Sequence, residues 1–385
     1  MSSTLAALET DAGAMRAWFE HLHRHPELSM RERETARYVA ELVRRWGYEV
    51  ETGIGGHGIV ASLTVGESPR AIGLRADFDA LPIREDNELA YRSEVEGVAH
   101  LCGHDGHTTM LLAAGKHLAE TRRFDGTVRL IFQPGEETME GGPAMIADGL
   151  FERFPVDAVF GMHVMPGLPL GRLHFAHGDV MAAVDNWEIE LTGKGGHGSM
   201  PELSVDPVVA GASLVIALQT IVSRNVAPRD AAVVTVGAFR AGDAGNVIAQ
   251  TAVLRLSIRT RTAADRAMVL DRVRALARTH AEGFGCTCEI REGAPGAVLV
   301  NDERETRRAA DIARAAFGDE DVVYPGPTFL GSEDFAFMLQ QRPGTYCFIG
   351  NGDTPMVHHP RFVLDQRILP KGAAYWVALA EGYLR

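Results

Sequence analysis

Val128-Arg-Leu-Ile-Phe132-Gln-Pro-Gly-Glu136-Glu137 sets a short apolar run, closed by Pro and Gly, directly before two adjacent carboxylates. A run of this length and composition is what a strand buried on both faces looks like. Ala158-Val-Phe-Gly-Met-His-Val164 repeats the pattern, with His163 near its end. Working outward, further apolar runs at 59–65 and 71–75 alternate with helix-like periodicity at 33–46 and 108–122. The alternation predicts an α/β layered domain, a central mixed sheet flanked by helices. In open α/β sheets the ligand crevice lies outside the carboxyl ends of the strands, so the polar residues just past these runs are the ones to watch.

From about 185 to 293 the rhythm changes to strand (187–192), helix (205–224), strand (232–240), strand (251–260), helix (263–282) and strand (287–292). This β-α-β-β-α-β order is the ferredoxin-like arrangement. Helical patterns resume at 303–317, 332–341 and 371–384, so the middle segment reads as an insertion. We expect a discontinuous catalytic domain, 1–184 with 294–385, and an inserted domain at 185–293. At 385 residues the chain exceeds what one hydrophobic core usually serves, which agrees with two domains.

Hydrophobic residues make up 46% and charged residues 23%, far from the signature of disorder. A formal charge of −13 with no compensating basic face argues against nucleic acid and anionic membrane as partners. Any carboxylate-bearing substrate then needs a local cation, such as Arg259. The first residues, with Glu9 and Asp11, lack the basic and apolar regions of a signal peptide, and no apolar run of about 18 residues was expected to span a bilayer. Cys102, Cys286, Cys288 and Cys347 suggest no disulfide framework, and the expected location is the cytoplasm.

Cys102-Gly-His104-Asp105-Gly-His107 is the densest chemical signal. In an extended segment residues two apart point to one side, so Cys102 and His104 can grip one site. Thiolate and imidazole suit borderline-soft divalent ions. The alternative is a Gly-rich turn in which Asp105 caps the next helix. At Glu136-Glu137 one carboxylate can bind metal while its neighbour takes a proton from water; the alternative is an exposed acidic turn. His163 and His358 stand at the ends of apolar runs, where a lone histidine is more often a hydrogen-bonded core residue. One Cys, three His and one Glu at candidate strand ends nevertheless form a plausible set for two ions.

The whole chain from His23-Arg-His-Pro-Glu27 to Leu369-Pro370 resembles the aminoacylase and carboxypeptidase type of di-metal peptidase family. The resemblance is to the branch of hippurate hydrolase, bacterial N-acyl-amino-acid amidohydrolases and plant auxin-conjugate hydrolases. It is carried by LRADFDALPI (74–83), CGHDGHT (102–108), FQPGEE (132–137), GMHV (161–164), TGKGGHGSMP (192–201), AGNVI (244–248), GSEDFA (331–336) and HHPRF (358–362). It implies metal ligands at Cys102, His104, Glu137, His163 and His358, and a general base at Glu136. Asp79 matches the residue that orients a ligand histidine. Asp77 stands where the wider family has a ligand histidine, and it is left out of the ligand set. His197 on the inserted domain is implied to hold the substrate carbonyl, with Asn246 and Arg259 near the substrate's carboxylate end. A turn histidine and a solvent-facing arginine are the alternatives for His197 and Arg259. Thr138-Met139-Glu140 replaces the glycine run that commonly follows the paired glutamates.

The resemblance further implies two divalent ions per subunit (zinc, manganese, cobalt or nickel). The activity implied is hydrolysis of N-acyl amino acids, with the inserted domain serving as a lid and as the contact of a homodimer or homotetramer. A dipeptidase, carboxypeptidase or N-acyl-diaminopimelate deacylase would use the same site, and a non-catalytic binding protein would lack part of it.

Overall fold

The computed structural model describes residues 3–385. The chain forms two compact units. The first runs to Val180 and resumes at Val300–Thr328 and Asp334–Arg385; the second is Met181–Leu299 with Phe329–Glu333. The sequence reading drew the insertion at 185–293.

The first unit is built on an eight-stranded mixed sheet in the order Glu49–Ile54, Gly58–Val65, Gly126–Gln133, Ala71–Asp77, Ala158–Met165, Gly344–Gly350, Leu173–His174, Val322–Val323. The four strands Gly126–Gln133, Ala71–Asp77, Ala158–Met165 and Gly344–Gly350 run parallel. The last three of these are buried along their whole length, as central strands covered on both faces are. Helix His104–Thr121 is buried from His104 through Gly115, because its first three turns carry no face of charge to offer solvent. It packs with helix Leu369–Tyr383, and Leu111, Leu118, Tyr375 and Trp376 join the strand residues in one core.

The second unit has the element order strand Ala183–Thr192, helix Pro207–Asn225, strand Ala232–Ala241, strand Thr251–Thr260, helix Ala263–Gly283, strand Thr287–Glu292. Its four-stranded antiparallel sheet is ordered Ala232–Ala241, Thr251–Thr260, Ala183–Thr192, Thr287–Glu292. Alternation sets its two faces. Trp187, Ile189 and Leu191 enter a core with Leu214, Leu218, Ile221, Leu254 and Val269. Glu188 and Glu190, between them, meet Arg255 and Arg291 on the other face at 2.7–2.9 Å. Both helices start on side-chain caps: Asp206 accepts from Val208 N before Pro207 at the first helical turn, and Thr262 accepts from Asp265 N.

Pro207–Asn225 is 19 residues long and apolar enough to cross a membrane by length and composition. This corrects the expectation that no such run exists. In the fold its Ala210, Leu214, Leu218 and Ile221 face the sheet. Residues 329–333 pack with this unit because Ala182 N donates to Gly331 O at 2.8 Å and Arg259 Nη1 to Leu330 O at 3.0 Å.

Candidate metal centre

In the first unit the carboxyl ends of the parallel strands meet the start of helix His104–Thr121. Gly103 makes the turn into that helix at φ +90°, and a Cβ there would lie 2.3 Å from Val164 Cγ1, so only glycine fits. Here the reading of an extended Cys102–His104 segment is corrected. A bend followed by the first helical residue brings the two side chains together, whereas strand alternation does not enter.

Cys102, His104 and His163 each offer a ligand atom, all within 4.8 Å of one another. Cys102, Glu137 and His358 form a second such group, and His104, Glu136 and Glu137 a third. Cys102 belongs to the first two. Its Sγ is 3.4 Å from His163 Nε2, while His358 Nε2 is 3.2 Å from Glu137 Oε2. His358 sits at φ +67°, an unusual backbone for a side chain of its size, and its N–H donates to Leu101 O at 2.7 Å, one residue from Cys102.

Hydrogen bonds fix which nitrogen each histidine presents. His104 Nδ1 donates to the carbonyl and carboxylate of Asp79, at 2.9 and 3.1 Å, leaving Nε2 to face the site. His163 Nδ1 donates to Val164 O, leaving Nε2 beside Cys102. His104 Nε2 and Glu137 Oε1 are buried 3.9 Å apart, and neither has a hydrogen-bond partner among the described residues. Two orphaned acceptors at that separation suit a cation between them.

The electrostatics agree. Burial alone would lower the pKa of His104, but Asp77, Asp79 and Glu137 overcome it and raise it to about 10. The field therefore favours positive charge at the ring. Burial, then Glu137 and Glu136, push the Cys102 thiol well up, so that a strong cation is needed to make it a thiolate. Burial holds His163 well below the usual range and thus in the neutral form that ligates. The residues present fit divalent metal.

Asp77, His104 and His107 also lie close enough to hold an ion, yet Asp77 and His107 are engaged elsewhere. His107 Nε2 accepts from Val164 N at 2.9 Å, so its proton is on Nδ1 and goes to Asp77 Oδ1 at 2.6 Å. Asp77 Oδ2 accepts from Arg75 Nη1 at 2.7 Å. Arg75 is itself buried and also meets Gln133 Oε1 at 2.9 Å and Asp334 Oδ1 at 3.2 Å. Burial alone would raise the Asp77 pKa; His104, Arg75 and His107 reverse this and hold it well below the carboxylate range. Sequence reasoning gave Arg75, His107 and Asp334 no part. Their presence inside the motifs was the signal; their pairing was not readable.

On the second unit, His197 and Asn246 come together. His197 pairs with Val247 across a two-stranded ladder, and Gly198 N donates to Asn246 O at 2.8 Å. His197 Nδ1 accepts from Ser199 N and interacts with Ser199 Oγ at 2.8 Å, so Nε2 carries the proton and is a donor. Arg259, half-buried on strand Thr251–Thr260, reaches Leu330 O.

Comparison with known proteins bears on this arrangement. The model of peptidase family M20/M25/M40 matches residues 73–382. Hippurate hydrolase of Campylobacter jejuni is 40% identical over 364 residues, 94% of this chain and 95% of that protein. An N-acetyl-L-cysteine deacetylase of Bacillus subtilis is 36% identical over 365 residues, 94% of this chain and 86% of that protein. The YXEP protein of Bacillus subtilis, described as a dinuclear metal-binding peptidase of the M20 family, superposes with a TM-score of 0.84 at 31% identity, covering 98% of this chain and 99% of that one.

Proposed function

This chain belongs to peptidase family M20/M25/M40, and we propose that it uses two divalent metal ions to hydrolyse N-acyl amino acids to a carboxylic acid and a free amino acid. The observation that carries this is the convergence of Cys102, His104, Glu137, His163 and His358 in two ligand groups sharing Cys102, with Glu136 beside them. In this reading those five residues hold the ions, which are zinc, manganese, cobalt or nickel.

When bound, the ions supply Lewis acidity to the acyl carbonyl and acidify water. Glu136 is buried, with Oε2 3.9 Å from His104 Nε2. It takes a proton from the attacking water as the water oxygen adds to the carbonyl carbon. When the C–N bond breaks, Glu136 returns that proton to the departing amine. Asp79 keeps His104 in the ligating tautomer. His197, with its proton on Nε2, is assigned to the substrate carbonyl oxygen, and Asn246 and Arg259 to the carboxylate end; these three roles rest on the family resemblance.

We take the second unit as a ferredoxin-like lid that also joins subunits in a homodimer or homotetramer. Helix Pro207–Asn225 supports this by leaving Val209 and Ile216 exposed next to the edge strand Ala232–Ala241. The partner small molecule is the N-acyl amino acid; nucleic acid and membrane have no part in the reading. All four cysteines are free, which suits a reducing cytoplasm.

The test is release of free amino acid from N-acetyl, N-benzoyl and indoleacetyl amino acids and simple dipeptides, using metal-stripped enzyme restored with manganese, zinc, cobalt or nickel. Metal-dependent cleavage of one acyl class is expected. Cleavage of dipeptides alone would replace the reading with a dipeptidase, and silence across the panel with two metals bound would defeat it.

A further inference from the structure

The two peptide N–H groups that bracket Glu136 are each held by a buried carboxylate from elsewhere in the first unit. Glu137 N donates to Asp79 Oδ2 at 3.0 Å, and Gly135 N donates to Glu32 Oε1 at 2.7 Å. Glu32 belongs to the segment His23–Glu32, which the metal chemistry leaves without a role. That segment is docked on both partners. Oε1 of Glu32 also accepts from Met30 N at 2.9 Å, Ser29 Oγ donates to Asp79 Oδ2 at 2.7 Å, and Leu28 pairs with Ala80.

An acid just before a helix is ordinarily a cap. Glu32 precedes helix Arg33–Arg45 but makes no side-chain cap bond to it; its Oε1 accepts instead from the N–H groups of Met30 and Gly135. It is wholly buried, and Oε2 has no partner among the described residues. Burying a carboxyl group on those terms costs stability that an apolar side chain would not.

What the bonds hold is a strained turn. Gly135 lies at φ +59°, and a Cβ on it would fall 2.5 Å from Met30 Sδ. Met30 and Met139 are both at φ +61°, in the left-handed region that side chains avoid. Two such residues, with Gly135 between them in the fold, flank the turn that carries Glu136, and side-chain-bearing backbone of this kind persists only where neighbours determine it.

We infer that Glu32 is a positioning residue for Glu136: by gathering the N–H groups of Met30 and Gly135 on one oxygen it fixes the 134–137 turn and hence the place from which the base reaches water. The inference rests on Glu136 being the base. Burial pushes the Glu32 carboxyl up to about 7, with the charge of Asp79 adding to it. Both N–H groups are gathered on one oxygen, and the amide oxygen of glutamine offers an acceptor at the same place.

The experiment compares metal-loaded Glu32→Leu and Glu32→Gln by steady-state kinetics, metal content and amide hydrogen exchange over residues 134–141. For Glu32→Leu, kcat should fall roughly tenfold to a hundredfold with KM within about twofold, both metals retained and exchange in the turn faster. Glu32→Gln should resemble the wild type in all four readouts. Wild-type kcat or unchanged exchange in Glu32→Leu overturns the inference, as does a Gln variant damaged as badly as the Leu one. Should Glu32→Leu not fold, Glu32→Asp takes its place: the shortened reach should cost kcat in the same way, and wild-type kcat again overturns the idea. A fully active Glu136→Gln control would instead sink the base assignment, and Glu32's grip on the turn is then judged on exchange alone.

Discussion

Asp79 Oδ1 and His104 Nδ1 stand 3.1 Å apart, while the other oxygen of the same carboxylate receives Ser29 Oγ and Glu137 N. One buried side chain thus orients His104 and the peptide of Glu137, two of the proposed ligands, together. Asp79→Asn replaces one of those acceptors with a donor. Outer partners of metal ligands are typically worth about tenfold to a hundredfold in metal affinity. We expect a loss of that size, read as metal retained per chain after dialysis against graded chelator. Wild-type retention would mean that the carbonyl of Asp79 alone orients His104.

Glu136→Gln keeps the shape of the proposed base and removes its ability to take a proton. General-base contributions run to about 10²–10⁴-fold, so kcat should drop by at least about a hundredfold while two metals stay bound. Near wild-type turnover with full metal content would give the proton to another group.

How much of this was legible in the sequence follows from the kind of signal each feature leaves. The strands at 71–77, 126–133 and 158–165 were found because each contains a short, closed, mostly apolar run, at 71–75, 128–132 and 158–163, that the fold largely buries. Strand Gly344–Gly350 escaped, since Gly-Thr-Tyr-Cys-Phe-Ile-Gly carries small and polar residues, although the fold buries them all. Helix Ala12–Arg24 also escaped: Met15, Phe19, Leu22 and His23 form its buried stripe, and a buried histidine in that stripe reads as polar until Asp105 and Glu85 are placed against it. The five candidate ligands were reached through a family resemblance, because no spacing rule joins residues 102 and 358. The supports of the site, Glu32, Arg75, His107 and Asp334, act across 30 to 259 positions in sequence and leave no local pattern.

Arg75 is buried between Asp77 and Asp334 and lies 5.6 Å from the ring of Phe335. Arg75→Met removes the charge and keeps much of the volume. Two buried carboxylates then lose their cation, which in comparable cases costs about 3–5 kcal/mol. An unfolding free energy lowered by less than about 1 kcal/mol would show that the remaining donors, His107, Gln133 and Gly142 N, compensate Asp77 and Asp334.

Ile216 is 73% exposed in the middle of helix Pro207–Asn225. If a second copy covers that face, Ile216→Glu buries an unpaired charge at the contact and should shift the mass seen by light scattering toward one chain. An unchanged oligomer would move the subunit contact elsewhere, and a wild-type chain that is already monomeric would remove it.

His23 links stability to pH in a direction that can be worked out. Burial alone would lower its pKa; Asp105 at 2.7 Å and Glu85 at 3.2 Å overcome burial and raise it to about 9 in the fold. The unfolded chain releases the same proton near 6.5. The folded state therefore binds more protons between the two values, and stability falls as pH rises. The contribution is full below about 6.5, is lost through about 9, and is on the order of a few kcal/mol. Chemical denaturation of the metal-loaded protein at steps from pH 6 to 9.5 should show this decline, and His23→Gln should be less stable at pH 6 with a flatter profile. An equally steep decline in the variant would assign the pH dependence to other groups and leave His23 a neutral hydrogen-bonding residue.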